Sequence, residues 1–420
     1  MQIHAYTSTG RLMTLVLALG CFLAAPLVGQ RQTNHPGSNL RALYDTHQWF
    51  RLREAAQSVE APVFFRGAIA CAFNDTGRAI EDLGQVVRSA PSSDEAYMAH
   101  ELLTYIQWRA GRYRQAFLQL DALSQLKPNA TDVKESRKLF AALAQFPEQS
   151  VSACRPSKLR YNMDSGNLFI PVVINGQNAV YMVDTGANLP VISAAEAKRR
   201  RLKTAKGNGK LGDSILYSLQ VGDVALADEL TVGGVRINNV SFLVVPDDRF
   251  ADMPPDQRGV LGLPVLLAFE TLRWSADGTF EIALPLAPEH PATPTIYFDG
   301  AMPVTQVEFR ESKLDFALDT GAVKTDLYPR FAKEFATLVK ESGRRGTTRN
   351  LGVGGTFDLD SIILPELSLR VSGFATTLRP ARVLLKDVGS EWHYGNLGLD
   401  LLSQARVATL DFKSMTLALQ

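Results

Sequence analysis

Cysteine is scarce in this chain, with three in 420 residues, and no two of them form a Cys-x-x-Cys pair. The six histidines never take the His-Glu-x-x-His spacing of zinc proteases, so the sequence predicts no metal and no other cofactor. The serine-hydrolase motif Gly-x-Ser-x-Gly and the glycine-rich phosphate-binding loop are also missing. Nucleophilic-serine and nucleotide chemistry are therefore without support.

An excess of either charge is also lacking, since the net charge is +1. Without a basic stripe, nucleic acid is not a predicted partner. The short runs Arg199–Arg201 and Arg344–Arg345 are best interpreted as solvated surface. With 46% hydrophobic and 21% charged residues, the chain is typical of a globular protein with two or three domains.

Only one long hydrophobic run occurs, from Leu12 to Val28, between Arg11 and a polar segment. We interpret residues 1–30 as an export signal, with an uncleaved membrane anchor as the main alternative. Lipid attachment at Cys21 is a third alternative. The predicted location is periplasmic or secreted, with or without a membrane tether. Once a signal is removed, Cys71 and Cys154 remain, either paired by a disulfide or unpaired.

Residues 38–147 are rich in alanine and leucine with helical periodicity, and they predict a helical domain. Two units are similar to tetratricopeptide repeats, because small residues and prolines recur at matching intervals: Gly67, Ala79 and Pro91, then Ala116 and Pro128. Such an array can hold a protein partner on its concave face. A plain helical bundle that stabilises the remainder of the chain is the alternative.

Two copies of Asp-Thr-Gly-Ala follow apolar strand patterns, at Asp184–Ala187 and Asp319–Ala322. A single Asp-Thr-Gly would occur by chance in roughly one chain in ten of this length. The two aspartates lie 135 residues apart, and other landmarks repeat at nearly the same offset. Gly262 and Gly398 follow their triplets after matching intervals, and each precedes a short helical pattern and a strand pattern. A hairpin pattern precedes each triplet. The repeat predicts two homologous β-rich lobes.

This order of motifs resembles the retropepsin-like aspartic proteases, and the alanine after each triplet favours that group over pepsin. Two lobes in one chain resemble the organisation of pepsin. Asn396 stands where the family usually has an apolar residue before the glycine. The resemblance implies a multidomain fold of helices followed by a duplicated acid-protease β-barrel pair. The predicted boundaries are a helical domain at 38–147, a linker at 148–164, lobe one at 165–290 and lobe two at 291–420.

The resemblance also implies a peptidase site in which Asp184 and Asp319 share one proton and activate a water. Supporting roles fall on the loop residues Thr185, Gly186, Ala187, Thr320, Gly321 and Ala322, and on the packing glycines Gly262 and Gly398. The two threonines should bond across the lobe interface. The alanines, which cannot donate a side-chain hydrogen bond, predict activity at mildly acidic to neutral pH.

Two segments fall where the family has its substrate-covering flaps, Lys210 to Val224 and Leu351 to Leu359. The candidate flap residues are Tyr217, Gly352, Gly354 and Gly355. A core aromatic is an equally good interpretation of Tyr217. An extended peptide would bind there by backbone pairing.

The sequence therefore predicts an exported aspartic endopeptidase that acts as a bilobal monomer on peptide or protein substrates. The alternative is a non-catalytic binding or assembly factor that uses the helical repeats and carries inactive protease-like lobes.

Overall fold

A computed structural model describes residues 36–163, 166–207, 210–211, 219–220, 222–251, 253–285, 293–352, 355–386 and 390–420. The candidate signal at 1–30 and the candidate flap residues Tyr217 and Gly354 lie outside these ranges. No helix within them is long and apolar enough to cross a membrane.

Seven helices that pack on one another make up the first part of the chain that the structure describes, which we call the helical region. They are α1 (Pro36–Asp45), α2 (Trp49–Gln57), α3 (Val63–Ala72), α4 (Thr76–Ser89), α5 (Asp94–Arg109), α6 (Tyr113–Leu126) and α7 (Thr131–Leu143). Gly67 of α3 allows α4 to approach closely, since a Cβ there would lie 2.8 Å from Leu83 Cγ. Ser93 begins α5 by accepting a hydrogen bond from the backbone N–H of Ala96 at 3.0 Å. The likeness to tetratricopeptide repeats stays a prediction.

Lobe one is a β-sheet curled around an apolar core. Its elements are β1 (Ser150–Ala153), β2 (Ser157–Arg160), β3 (Phe169–Ile174), β4 (Gln177–Val183), β5 (Val191–Ser193), α8 (Ala194–Arg199), β6 (Lys203–Lys206), β7 (Lys210–Leu211), β8 (Leu219–Gln220), β9 (Asp223–Val232), β10 (Val235–Val245), 3-10 helices at Asp247–Phe250 and Pro255–Gln257, β11 (Gly259–Leu261), α9 (Leu263–Ala268), β12 (Thr271–Ser275) and β13 (Thr279–Ile282). Its main sheet has the order β1-β10-β5-β11-β4-β3-β9-β6.

Lobe two repeats this plan. Its elements are β14 (Ile296–Asp299), β15 (Met302–Phe309), β16 (Ser312–Leu318), β17 (Asp326–Leu327), α10 (Pro329–Glu334), α11 (Ala336–Ser342), β18 (Arg344–Gly352), β19 (Gly355–Leu364), β20 (Leu367–Val371), β21 (Phe374–Leu378), β22 (Ala381–Leu384), β23 (Gly395–Leu397), α12 (Leu399–Leu402), β24 (Val407–Asp411) and β25 (Thr416–Leu419). Its sheet runs β18-β19-β22-β17-β23-β16-β15-β20-β21, with β14 paired to β15. The predicted fold class, helices followed by two β-rich lobes, is confirmed.

The two lobes share a third sheet, of order β2-β13-β12-β24-β25. In this sheet β12 of lobe one pairs antiparallel with β24 of lobe two, from Thr271 opposite Asp411 to Ser275 opposite Val407. The segment predicted as a linker contributes to the sheets as well. Its strand β2 pairs with β13, and its strand β1 pairs with β10. Backbone ladders therefore fix one lobe against the other.

The helical region packs directly on the lobes, because its apolar clusters continue into them. One cluster joins Trp108 and Phe140 to Ala187 and Leu189 of lobe one. Another joins Trp49 and other helical residues to Tyr297 and Val304 of lobe two. Cys71 is buried and Cys154 exposed, and both thiols are free, so no disulfide joins the helical region to lobe one.

Candidate active site

Each Asp-Thr-Gly turn begins where an apolar strand ends inside a sheet. Strand β4 delivers Asp184 and runs parallel to β11, while β16 delivers Asp319 and runs parallel to β23. The backbone N–H of Asp184 donates to Leu261 O, and that of Asp319 donates to Leu397 O, both at 3.1 Å. Both side chains are fully buried. Long apolar strands thus place two carboxyl groups in the interior.

The first carboxyl oxygen of each aspartate is held by its own turn. Asp184 Oδ1 accepts the backbone N–H groups of Gly186 at 2.8 Å and Ala187 at 3.0 Å. Asp319 Oδ1 accepts those of Gly321 at 2.9 Å and Ala322 at 3.1 Å. These bonds fix the orientation of each carboxyl group, and its second oxygen, Oδ2, takes no part in them.

The two turns are joined by the reciprocal threonine bonds that the resemblance implied. Thr185 Oγ1 donates to Leu318 O at 2.7 Å and accepts the backbone N–H of Thr320 at 3.0 Å. Thr320 Oγ1 likewise donates to Val183 O at 2.9 Å and accepts the N–H of Thr185 at 3.1 Å. Each hydroxyl thereby links both turns, which fixes the position of one lobe's triplet relative to the other's.

Each carboxyl group lies against the glycine of the opposite triplet. A Cβ added to Gly186 would lie 2.7 Å from Asp319 Cγ, and a Cβ on Gly321 would overlap the Asp184 carboxyl group. Only glycine leaves room for this approach. The structure therefore brings together the two aspartates that the sequence singled out.

The packing glycines Gly262 and Gly398 lie behind the turns. A Cβ at Gly262 would lie 2.7 Å from Ala187 O, and one at Gly398 would lie 2.7 Å from Ala322 O. The residues that follow complete the contact, because Leu263 N–H donates to Ala187 O at 2.7 Å and Leu399 N–H to Ala322 O at 2.8 Å. Backbone therefore packs against backbone on the far side of each turn.

Burial and proximity shift both carboxyl groups toward the protonated form. Burial, followed by the charge and hydrogen bonding of Asp319, raises the pKa of Asp184 well above its usual value. Burial also raises the pKa of Asp319 to about 6, although hydrogen bonds with Asn396, with Asp184 and with the turn oppose this rise. A pair with one proton and one charge is the form that these shifts favour near neutral pH.

Two asparagines were not predicted to take part in this site. Asn396 Nδ2 donates to Asp319 Oδ2 at 2.7 Å, so its departure from the family pattern gives Asp319 a partner. Asn167 Nδ2, from lobe one, donates to Gly321 O of lobe two at 2.7 Å. The only sequence signal for either is a polar residue inside an apolar pattern.

The backs of the two turns are held in different ways. In lobe two, Val323 O accepts the backbone N–H of Asp400 at 3.1 Å. The residue equivalent to Asp400 in lobe one is Pro264, which has no N–H to donate. Asn188 O, the counterpart of Val323 O, instead accepts a hydrogen bond from Trp108 Nε1 of the helical region at 2.9 Å. The helical region thus supplies a donor that the proline lacks.

The candidate flap segments begin as hairpins. Strands β7 and β8 pair from Lys210 opposite Gln220 to Leu211 opposite Leu219. Strands β18 and β19 pair along their whole length and end with Gly352 opposite Gly355. Both glycines are therefore at the tip of a hairpin. Within the described ranges, no cluster of three or more His, Cys, Asp or Glu residues could hold a metal.

A known protein family matches part of the chain. Residues 170–265, which run from β3 into α9, match the family model described as aspartyl protease. No curated protein matches the chain significantly. Among solved structures, a retropepsin-like aspartic protease from Rickettsia conorii is similar at 16% identity and a TM-score of 0.21, covering 32% of this chain and 92% of that one. Aspartic proteinase from Irpex lacteus is similar at 12% identity and a TM-score of 0.37, covering 63% of this chain and 96% of that one. The family match supports a hydrolase of the aspartic protease type.

Proposed function

We propose that the protein is an aspartic endopeptidase whose catalytic residues are Asp184 and Asp319. The observation that carries the proposal is the packing of each carboxyl group against the glycine of the other triplet, with reciprocal threonine bonds beside them. All of these contacts lie within one chain. We therefore propose a catalytically competent monomer.

The chemistry follows from one proton shared by two carboxyl groups. The ionised carboxylate removes a proton from a water whose oxygen attacks the scissile carbonyl carbon. The protonated carboxyl group donates its proton to the carbonyl oxygen, which gives a neutral gem-diol. The C–N bond then breaks as the first carboxyl group protonates the nitrogen and a gem-diol hydroxyl returns a proton to the second. Neither aspartate becomes covalently attached to substrate.

The surroundings of the site support peptide as the substrate class. The hairpins β7–β8 and β18–β19 occur at matching places in the two lobes, and such strands can pair with an extended backbone. We propose that they form two flaps, with Gly352 and Gly355 at the tip of the second. We also propose export through the apolar run in residues 1–30, followed by action in the periplasm or outside the cell.

The test compares the chain lacking residues 1–30 with its Asp184→Asn and Asp319→Asn variants on an unbiased peptide library. Each substitution removes a proton-transfer group, so we expect kcat/KM to fall at least 10²- to 10⁴-fold. The matched control is Asp228→Asn, an exposed aspartate on β9 paired with Lys203, which should keep full activity. Activity that survives either dyad substitution would refute the shared mechanism.

The same samples test the alternative of a non-catalytic binding factor. That alternative predicts no cleavage by the wild-type chain at any pH. It also predicts a partner that is retained by the helical region and that the dyad variants bind equally well.

A further inference from the structure

Position 396 differs chemically from its counterpart in lobe one. Leu261 and Leu397 each accept the N–H of an aspartate, which makes the preceding residues, Val260 and Asn396, equivalent. Both are buried. Val260 has no polar atom in its side chain, whereas Asn396 Nδ2 donates to Asp319 Oδ2 at 2.7 Å.

This difference gives the two carboxyl groups unequal sets of donors. Asp319 accepts three N–H groups, two from its own turn on Oδ1 and one from Asn396 on Oδ2. Asp184 accepts two, both on Oδ1. In the part of the chain that the structure describes, no N–H donor reaches Asp184 Oδ2; the side-chain hydrogen bond of the Asp184 carboxyl group is with the Asp319 carboxyl group.

An N–H group stabilises a carboxylate more than a carboxylic acid, because the bond to an ionised acceptor is charge-assisted. A carboxyl oxygen without a donor is, conversely, the place where a proton is retained at least cost. We propose that Asn396 is a positioning residue that places the negative charge of the pair on Asp319 and the proton on Asp184 Oδ2. For its kinetic consequences, this assignment rests on the proposed peptidase function.

The assignment gives each aspartate a definite role. Asp319 takes the proton from the water as the water's oxygen bonds to the carbonyl carbon. Asp184 gives its proton to the carbonyl oxygen, which receives the electron pair of the C=O bond. In the second step Asp319 protonates the leaving nitrogen and Asp184 recovers a proton from the gem-diol, so the pair returns to its starting state.

The neighbouring ionisable groups do not oppose this assignment. Tyr328 is buried near Asp319, and burial, Asp326 and Asp319 all raise its pKa, which keeps it neutral. Asp326, opposite Asn396 in the sheet, is paired with Arg382 at 2.7 Å. The pKa directions agree with the donors: burial raises the pKa of both groups, the Asn396 hydrogen bond partly offsets the rise at Asp319, and the Asp319 carboxyl group adds to the rise at Asp184.

The first experiment measures the pH profile of kcat/KM for wild type, Asn396→Val and the exchange variant Val260→Asn/Asn396→Val. Valine is the residue that lobe one has at this position. Without the amide donor, the acid limb of Asn396→Val should move up by about one pH unit, with roughly tenfold lower kcat/KM on that limb. The exchange variant should return the limb toward wild type, because a donor again faces one carboxyl group.

The second experiment measures the charge without turnover, by ¹³C NMR titration of chains labelled at the aspartate carboxyl carbons. Signals are assigned by their loss in Asp184→Asn and Asp319→Asn. In wild type Asp319 should ionise first, in Asn396→Val the first ionisation of the pair should rise by about one pH unit, and in the exchange variant Asp184 should ionise first. If Asn396→Val does not fold, Asn396→Ala serves instead, since it removes the amide without adding a branch.

Two results would overturn the assignment: ionisation of Asp184 before Asp319 in wild type, or an unchanged first ionisation in Asn396→Val. Absence of peptide cleavage together with the expected titration would refute the peptidase proposal and leave the charge assignment intact. Peptide cleavage together with an unchanged titration in Asn396→Val would refute the charge assignment and leave the peptidase proposal intact.

Discussion

The two Asp-Thr-Gly turns share a backbone scheme and differ in what supports it. In both lobes the aspartate accepts two turn N–H groups, and its own N–H donates to a leucine carbonyl. Lobe two completes the support with its own residues, through the Asp400 N–H and Asn396. Lobe one has Pro264 and Val260 at these places and receives a hydrogen bond from Trp108 of the helical region. The hydrogen bonds that hold the two carboxyl groups are therefore the same in both lobes, whereas the residues that support the turns from behind differ.

The comparison implies that lobe one depends on the helical region for the geometry of its turn. This dependence suits the plain interpretation of the helices as a stabilising element. It also limits the surface left for a partner, because the faces that carry Trp108 and Trp49 already lie against the lobes. Partner binding by the remaining helical surface stays a prediction.

Removal of the helical region should have the largest effect on the stability of the lobes. A chain of residues 148–420 should lose the apolar clusters shared with both lobes, and we expect no cooperative thermal unfolding. Circular dichroism and calorimetry provide the measurement, with a chain of residues 36–420 as the folded control. A stable and active 148–420 fragment would contradict the dependence.

Substitution of Trp108 tests the same contact more finely. Trp108→Ala should lower the free energy of unfolding by about 3–5 kcal/mol, because a large buried ring is lost. Trp108→Phe keeps much of the ring but not the N–H, and should cost about 1–2 kcal/mol. Introducing Pro264→Ala supplies a backbone N–H near Asn188 O, so Trp108→Phe should then cost less. An equal loss of unfolding free energy with Pro264 and with Pro264→Ala would show that the hydrogen bond from Trp108 to Asn188 O does not contribute to stability.

The matching test in lobe two is Thr325→Val. Thr325 Oγ1 donates to Asp400 Oδ1 at 2.7 Å and accepts the N–H of Gly398 at 2.9 Å. Losing the hydroxyl leaves the buried Gly398 N–H without its acceptor, so we expect a loss of about 1–3 kcal/mol. Urea unfolding of this variant with and without Trp108→Phe should give additive losses, since the two supports belong to different turns. Strong coupling would contradict separate supports.

The smallest expected effect is a pH dependence of thermal stability that arises at the contact between the helical region and lobe two. Buried Asp299 is bonded to His47 Nδ1 at 2.6 Å and to His393 Nε2 at 3.2 Å, and His47 stacks on Trp392. Burial alone would lower the pKa of His47, but Asp299, with smaller contributions from Glu101 and Glu391, raises it. Burial would likewise raise the pKa of Asp299, but His47 and His393 hold it well below its usual range.

The sign of the pH dependence follows from these directions. The stabilisation from protonated His47 is complete below its unfolded pKa of about 6.5 and is lost as pH rises through the higher folded value. The contribution of Asp299 is present above about pH 4 and is lost in stronger acid. We therefore expect His47→Phe, which keeps a ring on Trp392, to flatten the fall in Tm above pH 6.5. An unchanged slope in that variant would exclude this contact as its cause.

The strands and hairpins around the two triplets could be predicted from the sequence, because apolar strand patterns and turn residues are local signals. It also indicated Gly262 and Gly398, whose matching offsets reflect a repeated backbone. It could not indicate Trp108 or Asn167 as supports of the site, because each contacts a turn remote in sequence. The sequence predicts a linker at residues 148–164. Strands β1 and β2 within it are short and polar, and they form by pairing with β10 and β13, which are distant in sequence.

The shared sheet also has a consequence for the time course of folding. Thr271 of β12 is paired with Asp411 of β24, and the threonine bonds between the triplets span 135 residues. Contacts so distant along the chain carry a large loop-closure entropy and form slowly. Each lobe can gain its hairpins early, whereas the β12–β24 pairing and the threonine bonds both require closure of a long loop. We therefore expect the pair of aspartates to be among the last parts of the molecule to form during refolding.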